Sequence, residues 1–134
     1  MRIQLFYIGK ARSRPLNQAA QEYATRLGRY CRFEMREIKG EKDAADDRKA
    51  LRILLDPLGE SLSSDQLAGV VEKAERDISF YVGGADGWTD EFRASADRLL
   101  SLSKMTLPHE LARVMLAEQI YRAFTILRNH PYPR

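Results

Sequence analysis

Short apolar runs alternate along this chain with stretches of helical spacing, and that alternation restricts the fold more than any other feature. Residues 3–8, 33–38, 53–55, 78–82 and 99–102 read as strands. Residues 15 to about 30, 66–76, 90–98 and 108–127 read as helices, the first with Leu16, Ala19, Ala20, Tyr23 and Leu27 close to helical spacing. Strands that alternate with helices predict a parallel α/β sheet, because a tight turn cannot join two parallel neighbours. The interval 39–52 is the weak link. A parallel crossover needs about a dozen residues, usually helical, and this interval holds a helix of about two turns at most.

Two strand ends open into loops suited to a ligand. Tyr81-Val-Gly-Gly-Ala-Asp-Gly87 puts three glycines in five positions directly after a strand, where the backbone can come close to a bound molecule. Leu102-Ser-Lys-Met-Thr-Leu-Pro-His109 repeats the plan, with Pro108 suited to the first turn of the following helix. Loops at the carboxyl ends of parallel strands are where α/β proteins hold small molecules. The Gly-Gly pair alone is more often a plain turn. Gly83-Gly84-x-x-Gly87 lacks the dinucleotide order, and no Gly-Lys-Ser/Thr follows, so the pattern indicates a ligand loop without naming the ligand.

Composition narrows the class. At 134 residues the chain reads as a single domain, 1–134, with a core of its own. No apolar run approaches the roughly 18 residues of a membrane span, and no signal-peptide pattern follows Arg2. One cysteine, Cys31, excludes an intrachain disulfide and fits a reducing, cytoplasmic setting. His109 and His130 stand far apart without a cysteine cluster, so no metal site is expected. Charge is uneven: residues 1–50 carry twelve Lys/Arg against seven Asp/Glu, and residues 51–134 carry ten against twelve. Lys10, Arg12 and Arg14 follow the first strand, and Arg26, Arg29, Arg32 and Arg36 come after them. Such a cluster attracts phosphates without regard to sequence, or is a solvated mixed-charge face.

The last helix carries two apolar stripes, Ala112, Leu116, Ile120, Ala123, Phe124 and Leu127 on one and Leu111, Val114 and Tyr121 on the other. A helix apolar on two sides needs two covers. The sheet is one, and the other is expected to be a second copy of the chain, the alternative being a helix that lies deep in a monomer.

The longer strings carry a resemblance. Tyr81–Gly87, then the run from Leu102 through Pro108-His-Glu-Leu-Ala-Arg-Val-Met-Leu-Ala-Glu-Gln-Ile-Tyr-Arg-Ala123, then Asn129-His-Pro-Tyr132, resemble the RlmH family. These small SPOUT-class enzymes methylate N3 of a pseudouridine in 23S ribosomal RNA, in the helix 69 region, using S-adenosyl-L-methionine. The likeness is dense over residues 78–132 and looser at Met1-Arg-Ile-Gln-Leu5. It implies an α/β parallel sheet with helices on both faces, a carboxyl-terminal trefoil knot over about 78–134, and a homodimer acting on 23S rRNA within the ribosome. Relatives have a longer helical crossover where this chain has 39–52.

By the same resemblance, Leu55, Gly83, Leu102, Ser103, Lys104, Met105, Thr106 and Leu107 match the family's cofactor contacts. The residue types suit the role, since Leu55, Leu102, Met105 and Leu107 can enclose adenine while loop amides bond its edge. For the acceptor, a cation stabilises the anion that forms as N3 loses its proton, and Arg122 on the last helix is the candidate. Glu118, four residues earlier, is placed to pair with it, so an ordinary ion pair is the plainer reading. The family's tail enters the active site of the dimer, which makes Tyr132 and Arg134 candidates to shape the acceptor pocket. Relatives carry a second His in the tail where this chain has Pro133. A non-catalytic RNA- or ribosome-binding protein, and a small α/β enzyme acting on a soluble nucleotide, are the alternatives.

Overall fold

The computed structural model describes residues 1–44 and 48–132. In chain order the elements are β1 (Arg2–Ile8), α1 (Arg14–Leu27), β2 (Arg32–Ile38), β3 (Leu51–Ser61), α2 (Ser64–Lys73), β4 (Ile78–Val82), α3 (Asp90–Ala94), β5 (Arg98–Ser101) and α4 (His109–Leu127). The five strands form one parallel sheet in the order β2-β1-β4-β3-β5. The α/β expectation holds.

Alternation along the strands explains the layers, since successive side chains leave opposite faces. Ile3 and Leu5, Ile53, and Ile78, Phe80 and Val82 face the larger core with α1, α2 and α4. Phe6, Leu54 and Tyr81 face the other side, where they pack with Trp88 and Phe92 of α3 and the segment before it. Tyr81 stacks on Phe6 at 5.0 Å and meets Phe92 edge-on at 5.4 Å.

Several boundaries differ from the sequence reading, each for a local reason. The third strand does not stop at Leu55. Its pairing with β5 breaks between Leu55 and Glu60 and then resumes, leaving Asp56-Pro57-Leu58-Gly59 as a bulge. A proline is tolerated at such a position because the ladder needs no N–H there. Helix α2 begins at Ser64 rather than 66, because Ser63 and Gln66 form a reciprocal capping box. Helix α3 ends at Ala94 rather than 98, where the Ser95 hydroxyl donates to the Phe92 carbonyl at 2.5 Å.

The 39–52 crossover holds no α-helix among its described residues. A single 3-10 turn, Glu41–Asp43, stands there, and residues 45–47 lie outside the described ones. That turn still has a task. The Glu41 carboxylate accepts from the Thr89 N–H at 2.9 Å and from its hydroxyl at 2.6 Å, which anchors the segment after β4.

The second apolar stripe of α4 is covered within the chain. Helices α1 and α2 flank α4, and Tyr121 and Phe124 pack on Tyr23 and Tyr30. Val114 and Tyr121 of that stripe are buried, while Leu111 stays half-exposed. Leu111 lies on a half-exposed row with Met115, Glu118, Gln119, Arg122 and Ile126. The helix turns three sides inward, not two.

Candidate active site

Three loops at the carboxyl ends of the strands converge on one cavity of about 460 Å³, a volume suited to a nucleoside-sized ligand. They are the β3 bulge at Leu55–Pro57, the β4 loop from Val82 to Trp88, and the β5 loop from Ser101 into the first turn of α4 at Ala112. Leu55, Gly83 and all of Leu102–Leu107 line it, so segments far apart in sequence meet at one site.

The chain's single tryptophan, which sequence reasoning passed over, organises this cavity. Trp88 is 8% exposed, and its indole N–H donates to the Leu55 carbonyl at 2.7 Å, tying the β3 bulge to the β4 loop. It also explains Gly83. A Cβ there would sit 3.2 Å from the indole, a tight contact that Trp88 would have to yield to, so the position is constrained by packing as well as by any ligand. Gly87 takes φ +67, the left-handed conformation that returns the loop toward α3.

A buried ion pair holds the bulge. Asp56, 3% exposed, accepts from Arg93 Nε at 2.7 Å with one oxygen and from the Leu58 N–H at 2.8 Å with the other. In the β5 loop, the Ser101 hydroxyl donates to the Ser103 carbonyl and the Ser103 hydroxyl accepts from the Met105 N–H, both at 2.9 Å. Leu55, Leu102 and Leu107 are half-buried walls, while Met105 is 79% exposed at the rim.

The acceptor candidates gather elsewhere. Arg122 bonds Glu118 through Nη2 at 2.8 Å and Nε at 3.1 Å, and its guanidinium lies 4.9 Å from the centre of the Tyr132 ring. The Tyr132 hydroxyl donates to the same Glu118 carboxylate at 2.9 Å, and its ring meets Tyr121 edge-on at 4.9 Å. The Glu118 hydrogen bond raises the Arg122 pKa and keeps the guanidinium charged. Burial, with hydrogen bonds to Tyr23 and Glu118, lifts the Tyr132 phenol above its usual value, so it stays protonated. Arg122 lies thirteen residues beyond His109 on α4, about 20 Å along the helix at 1.5 Å per residue. Within one chain, the cavity and the Arg122–Tyr132 cluster are separate. Pro133 and Arg134 lie outside the described residues.

Beside the cavity mouth runs the loop 9–13. Gly9, at φ +101, lies against the His109 ring, and the Ser13 N–H donates to Glu110 at 2.9 Å. That backbone hydrogen bond holds the Glu110 carboxyl below the usual range. Its contribution to stability is therefore present in full above about pH 4.3 and is lost as pH falls through the lower native value. Lys10, Arg12 and Arg14 are exposed, with no ion pair to a described residue. Among the described residues, no group of three His, Cys, Asp or Glu comes together that could hold a metal ion. No helix is long and apolar enough to cross a membrane.

Comparison with known proteins places these features in a lineage. A family described as "Predicted SPOUT methyltransferase" matches residues 1–133. A protein of Solibacter usitatus named ribosomal RNA large subunit methyltransferase H is 48% identical over 139 residues, covering all of both chains. One of the same name from Geobacter sulfurreducens is 38% identical over 151 residues, covering 98% of this chain and 99% of its own. A solved structure, a probable methylase family protein from Haemophilus influenzae, superposes with a TM-score of 0.69 at 15% identity. It covers 98% of this chain and 70% of the other, and shows likeness of fold alone.

Proposed function

Because the chain belongs to the SPOUT methyltransferase family, alongside the ribosomal RNA large subunit methyltransferases H, we propose that it methylates N3 of a pseudouridine in 23S rRNA, in the helix 69 region, using S-adenosyl-L-methionine. The observation that carries this reading is the meeting of Leu55, Gly83 and Leu102–Leu107 around one cavity. The cavity fits the cofactor. Leucine walls suit a purine, and the polar backbone of two loops after parallel strands suits its edges. S-adenosylmethionine supplies an already activated methyl group on a sulfonium. The protein's part is to orient, to exclude water and to stabilise charge on the acceptor.

Arg122 fills the last role. Glu118 and Tyr132 fix the direction of its guanidinium, so the positive charge is already aimed when N3 loses its proton. Tyr132 shapes the acceptor pocket in this reading; Arg134, which the resemblance also assigns there, lies outside the described residues. From Ala112, which lines the cavity, to Arg122 is about 15 Å along α4, and a homodimer bridges it. A two-fold axis near Glu118 would pair the half-exposed rows of two antiparallel α4 helices, bringing Arg122 toward the cavity end of the partner's α4. Each site then takes its cofactor cavity from one subunit and its acceptor cluster from the other. The carboxyl-terminal trefoil knot belongs to the same reading, supported by family membership and by the β4-β3-β5 strand order. The enzyme would act in the cytoplasm, where ribosomes are found.

The test is titration of S-adenosylmethionine into wild-type protein and a Gly83→Val variant, followed by methyl transfer to ribosomal particles lacking the modification. A β-branched side chain at Gly83 crowds the Trp88 indole and adds bulk to the cavity wall, so the variant is expected to lose cofactor binding while keeping its circular dichroism. Unchanged affinity in folded Gly83→Val protein removes the cofactor from this cavity. Wild-type protein that binds cofactor and ribosomes without transferring methyl supports a binding-only role instead.

The basic loop supplies the RNA contact in this reading. Replacing Lys10, Arg12 and Arg14 together with Ala should lower the salt dependence of ribosome binding by up to about three units of slope. A wild-type slope would make these three residues solvated surface only.

A further inference from the structure

Arg113 is the most costly residue on α4. It is 4% exposed, and no described carboxylate lies within ion-pairing distance of it. Its Nη2 donates to Asn17 Oδ1 at 2.7 Å, its Nη1 lies 3.7 Å from the Met35 sulfur, and its guanidinium covers the Tyr7 ring at 4.7 Å. Its Nε has no hydrogen-bond partner. Burying a guanidinium without a carboxylate costs several kcal/mol, and a neutral side chain would fill the same space between α1, β1 and β2. Packing alone does not account for it.

The guanidinium does determine one thing. With Asn17 Oδ1 facing Arg113, the amide can turn only its Nδ2 the other way, and Nδ2 donates to the Ala11 carbonyl at 2.9 Å. Ala11 is the midpoint of the loop 9–13. One end of the loop is held by Glu110 accepting from Ser13, and the other, Gly9, lies beside His109. His109 also lines the cavity, so the loop sits at the cavity mouth with Lys10 and Arg12 outward.

We propose that the Arg113–Asn17 pair is a positioning device for this loop, holding Lys10 and Arg12 at the cavity mouth to receive phosphates of the RNA strand whose base is methylated. The inference rests on the methyltransferase reading above. Arg113 touches neither cofactor nor RNA. It acts through Asn17.

The decisive variant is Asn17→Asp. A carboxylate keeps a partner for Arg113 and strengthens it, since a charged acceptor bonds a guanidinium better than an amide does. The same carboxylate sets an acceptor against the Ala11 carbonyl in place of a donor, so the central tie opens. Expected are a thermal midpoint at or above wild type, unchanged S-adenosylmethionine affinity, and ribosome binding whose salt slope falls by up to about two units. Asn17→Ala, which leaves the guanidinium without its acceptor, should lower both the midpoint and the slope. A wild-type slope in Asn17→Asp, or a slope that falls only in step with the midpoint across the two variants, overturns the proposal. The salt slope needs no turnover. Absence of methyl transfer by wild-type protein therefore counts against the methyltransferase reading through a separate measurement.

Discussion

Arg122→Ala is expected to slow methyl transfer by about 10²–10³-fold, or roughly 2.7–4 kcal/mol, the range for removing one preorganised donor to developing charge. The effect is large because the guanidinium is already aimed. Glu118 holds it through Nε and Nη2, and Tyr132 lies against its face, so little reorganisation accompanies the formation of the N3 anion. Cofactor affinity should be nearly unchanged, because Arg122 is assigned to the acceptor and does not line the cavity. Single-turnover kinetics with saturating cofactor measure the step directly. The shared site adds a stronger expectation. Co-expressed with Gly83→Val, itself inactive, Arg122→Ala subunits form heterodimers in which one site carries both defects and the other neither. Random pairing should restore about a quarter of wild-type activity. No recovery would place cavity and Arg122 in the same subunit's site.

The second large effect is structural. Gly59→Ala should cost about 3 kcal/mol or more, at the upper end of overpacking penalties, and should lower the urea midpoint accordingly. An added Cβ would stand 2.5 Å from the Leu99 carbonyl carbon and 2.6 Å from the Leu100 nitrogen. These are backbone atoms of β5, paired on that side to β3, and they cannot swing away as a side chain would. Relief requires β5 to separate from the resumed part of β3, which moves the Asp56–Pro57 wall of the cavity as well. Cofactor binding should therefore weaken together with stability. A wild-type midpoint would mean that the bulge accommodates a methyl group by shifting as a unit.

Gly59 also marks where reading the sequence stops. Asp56-Pro57 ends a strand by every local rule, because proline removes the ladder's donor. That the strand resumes at Glu60 depends on how closely β5 approaches, and β5 is some forty residues away in the chain. The same holds for Trp88, whose surrounding loop is polar and glycine-bearing. Nothing local requires the indole to turn inward and bond the Leu55 carbonyl. Arg113 falls between the apolar positions of α4 and reads as a surface charge until α1 and β1 close over it. The α4 stripes were legible as stripes, but not their cover within the chain: α1 and α2 pack on α4, and Leu111 stays half-exposed.

The sequence by itself determined the parallel α/β class, the five strands and four helices, though not the run of β3 beyond Leu55, and the two glycine- and serine-bearing loops that line the cavity. These are properties of periodicity and of backbone chemistry, which act over a few residues and leave their mark locally. Tertiary structure alone decided that Gly83 is packed against an indole and that Arg122 lies far from the cavity of its own chain. Each of these depends on distances between segments remote in sequence. Such distances follow from strand order and helix length, and no stretch of neighbouring residues encodes them.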